Sequence, residues 1–131
     1  MTREQDGKLA TLAASPVGNG RSVAELRALG RLADLAVVPA GTVLQREGAW
    51  APWSYCLLGG AALLSASDVP LAVAGGGAWL LGAGHTPGGG GGPVPVTVVT
   101  ATDTPTLCFR PADFDAARRE LPGLMPILPR Q

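Results

Sequence analysis

Nearly all the charge in this chain lies at its two ends. Nine of the 20 charged side chains fall in residues 1–34 and seven in residues 110–131, while the 75 residues between hold four: Arg46, Glu47, Asp68 and Asp103. A neutral stretch of that length does not stay solvated as an open chain, so it reads as the core-forming body of a domain. The chain has 131 residues, of which 47% are hydrophobic, enough for one domain with a real core. Acids and bases balance at 10 each, which argues against a nucleic-acid surface with its clustered excess of Lys and Arg. One Lys against nine Arg, with abundant Ala and Gly, fits a GC-rich bacterial gene.

Cys56 and Cys108 sit in apolar runs and are expected to be buried, reduced thiols. No metal-ligand spacing is present, so neither metal nor cofactor is expected. The polar N-terminus is no signal peptide, and Gly and Pro interrupt every apolar run short of a membrane span, which predicts a soluble cytoplasmic protein.

Local patterns divide the chain. Residues 1–21 end in a cluster of breakers, Ser15-Pro16-Val17-Gly18-Asn19-Gly20, and read as a flexible lead-in. Val23 to Leu32 has helical spacing, with Ser22 and Glu25 in capping-box positions. The period then becomes that of strands: Leu35–Val38, Thr42–Glu47, Ser54–Leu58, Ala61–Ser65, Val69–Ala74, Ala78–Leu81, Val96–Thr100 and Thr106–Phe109, with turn residues between them. Asp113 to Glu120 reads as a short closing helix, and residues 122–131 as an apolar tail broken by proline. These elements predict a mostly β fold, an eight-stranded cupin-like jelly-roll barrel with an N-terminal helix and a short C-terminal one.

Three stretches give this order a likeness. Val38-Pro39-Ala40-Gly41-Thr42-Val43-Leu44-Gln45-Arg46-Glu47-Gly48 is a hairpin with a proline-glycine turn and a strand ending in Glu-Gly. Leu57-Leu58-Gly59-Gly60-Ala61-Ala62-Leu63-Leu64 is a second hairpin, and Thr100 to Phe109 followed by Asp113-Phe114 makes a closing pair. Together they resemble the cyclic-nucleotide-binding domain of CRP/FNR-like regulators, over residues 22–121. The resemblance implies a phosphate-binding cassette after the sixth strand. There a Phe-Gly-Glu run supplies a carboxylate for the ribose, a short helix presents N–H groups, and an Arg pairs with the phosphate. In this chain Leu81-Gly82-Ala83 stands where Phe-Gly-Glu is implied, and Val94 where the Arg is implied.

The deficit is also visible without the resemblance. Residues 70–99 hold no Asp, Glu, Lys or Arg, and burying a phosphate without a cation costs several kcal/mol. Leu81, Gly82, Ala83, Gly84, Val94 and Trp79 therefore read as a vestigial pocket and a degenerate cassette, with the Trp79 indole filling volume a nucleotide would take. Gly88, Gly89, Gly90, Gly91 and Gly92 disfavour a cassette helix, but their N–H groups offer a candidate anion nest.

No other motif carries chemistry. Gly82 to Gly88 lacks the dinucleotide-loop register and any Gly-Lys-Ser/Thr. His85 is the single histidine, too few for a metal centre of the cupin kind, and no nucleophile elbow occurs. Trp50, Trp53, Leu124 and Ile127 are candidates for a partner surface. The expected function is a non-catalytic regulatory or protein-interaction module whose partner is another protein, with no direct DNA or membrane binding. The alternative is a cyclic-nucleotide or small-anion sensor that uses the Gly-rich backbone.

Overall fold

The computed structural model describes residues 3–82, 93–121 and 123. Two helices, α1 (Arg3–Ala14) and α2 (Val23–Leu32), lead into β1 (Asp34–Val38), β2 (Val43–Gln45), β3 (Ser54–Leu57) and β4 (Ala61–Ala66). β5 (Val69–Gly75), β6 (Trp79–Leu80), β7 (Thr97–Thr100), β8 (Thr104–Phe109) and α3 (Pro111–Glu120) follow. α2 starts where the capping box places it. The Ser22 hydroxyl accepts the Glu25 N–H at 3.1 Å, and the Glu25 carboxylate accepts the Ser22 N–H at 3.2 Å. α3 starts two residues earlier than the helical pattern indicates, because Pro111 sits in its first turn, where a missing N–H costs nothing.

The strands form two four-stranded antiparallel sheets, ordered β1-β8-β3-β6 and β2-β7-β4-β5. This is a sandwich: among the described residues no ladder joins one sheet to the other, and no closed barrel is found. The strands that end these sheets include the two shortest, β2 with three residues and β6 with two.

The helices pack on the first sheet and make the molecule three-layered. Strand alternation gives that sheet two apolar faces. Cys56, Leu107 and Phe109 meet Leu12, Leu26, Leu29, Phe114, Ala117 and Leu121 from the helical side. Leu57 and Leu80, next in register, turn the other way and meet Ala62 and Val98 of the second sheet. The outer face of the second sheet has no covering layer among the described residues. Val43, Val99, Leu63 and Val73 align across its four strands, and Val43, Leu63, Val69, Leu71 and Val73 are exposed.

The lead-in expected over residues 1–21 is helical over 3–14 instead, and its Leu12 is completely buried. No helix among the described residues is long and apolar enough to cross a membrane.

Two of the four charges of the neutral body hold turns. Asp103 accepts the Ala40 N–H at 3.0 Å, across the corner between β1 and β2. Glu47 accepts the Ser67 N–H at 2.8 Å, at the tip of the β4–β5 hairpin. Ser67 and Asp68 form that two-residue tip with φ of 49° and 63°, the left-handed region usually given to Asn-Gly. Replacing Asp68 with Gly removes this strain and should raise unfolding stability by about 0.5–1 kcal/mol, measured by urea titration.

Candidate functional site

The end of the sandwich where β2 finishes, β3 begins, β6 finishes and the chain returns toward β7 gathers the residues of the implied cassette. Leu81 and Gly82 leave this end and Val94 re-enters it; all three are buried. Four hydrogen bonds fix these two anchor points. The Gly82 N–H donates to Ser54 Oγ at 2.9 Å, and the Gln45 side-chain amide donates to the Leu81 carbonyl at 3.0 Å. Val94 donates its N–H to the Ala49 carbonyl and accepts the Gly48 N–H, each at 3.0 Å. Both ends of segment 83–92 are thus held by the β2–β3 connection.

Gly82 has no room for a side chain. A Cβ there would lie 2.4 Å from the Pro52 carbonyl oxygen and 2.5 Å from that of Trp53. The glycine is therefore retained for close backbone approach. Val94 is 1% exposed. Gln45, 3% exposed, is with the fully buried Ser54 a buried polar group at this end that the sequence reading passed over. Its signal was a polar side chain at an inward position of the apolar run Val43-Leu44-Gln45.

Other candidates are distributed differently. Trp79 is half-buried on the helical side, with ring centroids 5.6 Å from Phe109 and 6.0 Å from Phe114. The volume it fills belongs to the helix-packed core, which corrects its assignment as a plug in nucleotide space; alternation turns Leu80, not Trp79, toward the sheet interior. Trp50 is 64% exposed, while Trp53 is half-buried beneath the Arg110 guanidinium at 5.7 Å. Ala83, Gly84, His85, the candidate nest Gly88–Gly92, Leu124 and Ile127 lie outside the described residues. Among the described residues no group of three His, Cys, Asp or Glu side chains is placed to hold a metal ion.

The cysteines are free, but only Cys56 is buried as expected; Cys108 is half-exposed on β8. Burial pushes the Cys56 thiol from 9.0 up to about 12. Burial and then the Asp34 carboxylate raise Cys108, and burial and then Cys108 raise Tyr55.

Two predictions follow from this geometry. Gly82→Ala should destabilise the fold by about 2 kcal/mol, through the clash with the Pro52 and Trp53 carbonyls, read as a lower urea midpoint. Cys56, Cys108 and Tyr55 all keep their protons in the folded state above the pH at which the unfolded chain releases them. Stability should then hold below pH 9 and decline as pH rises toward 12. Urea midpoints measured at pH 8, 9 and 10 check the direction, and Cys56→Ala should flatten the decline.

No protein-family model matches the chain, and no curated protein matches it. Solved structures do. The catabolite activator protein of Thermus thermophilus superposes with a TM-score of 0.64 at 21% identity, covering 84% of this chain and 53% of that one. A cyclic nucleotide-binding-like protein from Brucella abortus gives 0.59 at 22%, covering 87% and 99%. A cAMP-binding acyltransferase from Mycobacterium smegmatis gives 0.69 at 23%, covering 95% of this chain and 39% of that one. The chain thus spans about half the activator and two fifths of the acyltransferase, with identities low enough that the likeness speaks to architecture. Two antiparallel sheets, a helical layer on one of them and these superpositions agree: the fold of this chain is that of the cyclic-nucleotide-binding domain.

Proposed function

We propose that the chain is a non-catalytic regulatory or protein-interaction module with a degenerate phosphate cassette, which does not bind cAMP or cGMP. The observation that supports this most is Val94. The residue standing where a phosphate-pairing arginine is implied is an aliphatic side chain, 1% exposed and clamped by backbone hydrogen bonds on both sides. A cyclic nucleotide brought here would lose the hydration of its phosphate without gaining a charge-assisted partner, a cost of several kcal/mol. The side chains of Gln45 and Ser54, which bond Leu81 and Gly82, carry no charge either, and Arg46 and Glu47 at the end of β2 are exposed.

Exposed Trp50 and half-buried Trp53, with Leu124 and Ile127 of the tail, are our candidates for the surface that meets a protein partner in the cytoplasm. Tryptophan brings large apolar area at little entropic cost, which suits an anchor.

Calorimetric titration with cAMP and cGMP to about a millimolar tests the reading, since no heat at that concentration limits any affinity to about −4 kcal/mol or weaker. We expect none. Saturation at one nucleotide per chain would overturn it and favour a sensor that cradles the phosphate on the Gly88–Gly92 backbone.

A further inference from the structure

We propose that α1 is a detachable arm of the domain and that the ammonium of Lys8 is its clasp. Lys8 is the only lysine in the chain. Its Nζ donates to the Gly30 carbonyl at 2.6 Å and to the Ala33 carbonyl at 2.9 Å. These carbonyls lie at the C-terminal end of α2, where helix dipoles concentrate negative potential, so a single cation answers both hydrogen-bond demand and charge. A compact ammonium with rotatable donors reaches two carbonyls from one stem, a geometry the planar guanidinium of the nine arginines fits poorly. Gly30 supplies the track. A Cβ at Gly30 would lie 3.7 Å from Lys8 Cε and 3.7 Å from Leu12 Cδ1, so the lysine stem and the leucine both ride over this residue.

Among the described side chains of α1, only Leu9 and Leu12 join Lys8 in packing against the rest of the molecule. Twelve residues are marginal as an isolated helix. Gly7 weakens it further, and no packing demands a glycine there, since nothing lies within 4 Å of the Cβ it lacks. Leu12 is fully buried and Leu9 half-buried, while Ala10, Thr11, Ala13 and Ala14 face solvent. By contrast α2 buries Leu26 and Leu29, and α3 buries Phe114 and Ala117 with Leu121 beyond it.

The connection beyond α1 is anchored on its own account. Val17 is buried, and its carbonyl accepts from Arg21 Nε at 2.9 Å. A Cβ on Gly77 would touch Pro16 at 3.3 Å, which places Pro16 against the turn before β6. The hinge therefore falls at Ser15, where the Leu12 carbonyl accepts both the Ser15 N–H at 3.1 Å and its hydroxyl at 2.7 Å. When the clasp opens, α1 unfolds and swings from Ser15, Leu12 leaves the cluster it shares with Leu26 and Leu29, and the two sheets stay intact.

Native-state hydrogen exchange on the full chain tests this, with Lys8→Gln and Lys8→Arg beside the unaltered protein. In the unaltered protein the α1 amides should exchange at least tenfold faster than those of β8 and α3, with little dependence on urea. Lys8→Gln should raise α1 exchange about tenfold, the loss of a charge-assisted hydrogen bond, and leave β8 unchanged; Lys8→Arg should fall between. As a readout that needs no variant, N-hydroxysuccinimide acetate should acetylate Lys8 at a rate that tracks α1 opening. Common exchange rates for α1 and β8, or α1 exchange indifferent to Lys8→Gln, would overturn the proposal. So would acetylation of Lys8 only under conditions that unfold the sheets, a measurement that stands even if the glutamine variant fails to fold.

Discussion

Everything in this molecule hangs on the two-sided sheet at its centre, and above all on the strand pair β3–β8. Four register pairs, Ser54 with Phe109 through Leu57 with Thr106, hold these strands together in the middle of their sheet. Each strand sends alternate side chains to opposite layers: Cys56, Leu107 and Phe109 to the helices, Leu57 and Thr106 to the facing sheet. A slip of one residue would exchange the two sets and empty both cores at once. The cores are unequal. Large rings and leucines fill the helical side, with Phe109, Phe114 and Trp79 in mutual contact, whereas Leu57, Ala62, Leu80 and Val98 are the buried members between the sheets. Apolar burial scales with area, so the helical layer carries more of the stability than its length suggests.

Because the neutral body has almost no charge to spend, each polar group in it has a specific place. Asp103 holds the corner between β1 and β2, and Glu47 the tip of the β4–β5 hairpin, each from a distant connection. Gln45 and Ser54 secure the exit of the cassette segment by side-chain bonds to Leu81 and Gly82, where no strand ladder runs. The site proposed to have lost its ligand is consequently well built at its anchors. In the proposed reading what it lacks is a cation, since the buried Val94 stands at the point where one is implied.

Much of this was legible beforehand. Ser22 and Glu25 announced the start of α2, since a capping box is a local arrangement complete within four residues. The strand segments emerged within a residue or two at most boundaries, because glycine and proline punctuate them. Leu81, Gly82 and Val94 all lie buried at one end of the sandwich. The failures share a cause. α1 carries too weak an apolar stripe to be read as a helix, and it exists because Lys8 and Leu12 find α2, partners some twenty residues away. That Trp79 faces the helical layer was not legible, because period-2 alternation says which residues share a face but not which layer that face meets.

The sequence by itself determined that a neutral body would bury itself as strands between two charged ends, where most turns would fall, and that no charged group would accompany residues 70–99 into the interior. These are matters of composition and near neighbours, governed by solvation and local backbone preference. Only the tertiary structure decided which apolar face is core and which is surface. The runs of β4 and β5 look equally buried when written out, yet Leu63, Leu71 and Val73 point to solvent while Ala62 does not. Nothing local distinguishes them, because burial depends on whether a second layer arrives over a given face, and that is set by pairings across the whole chain.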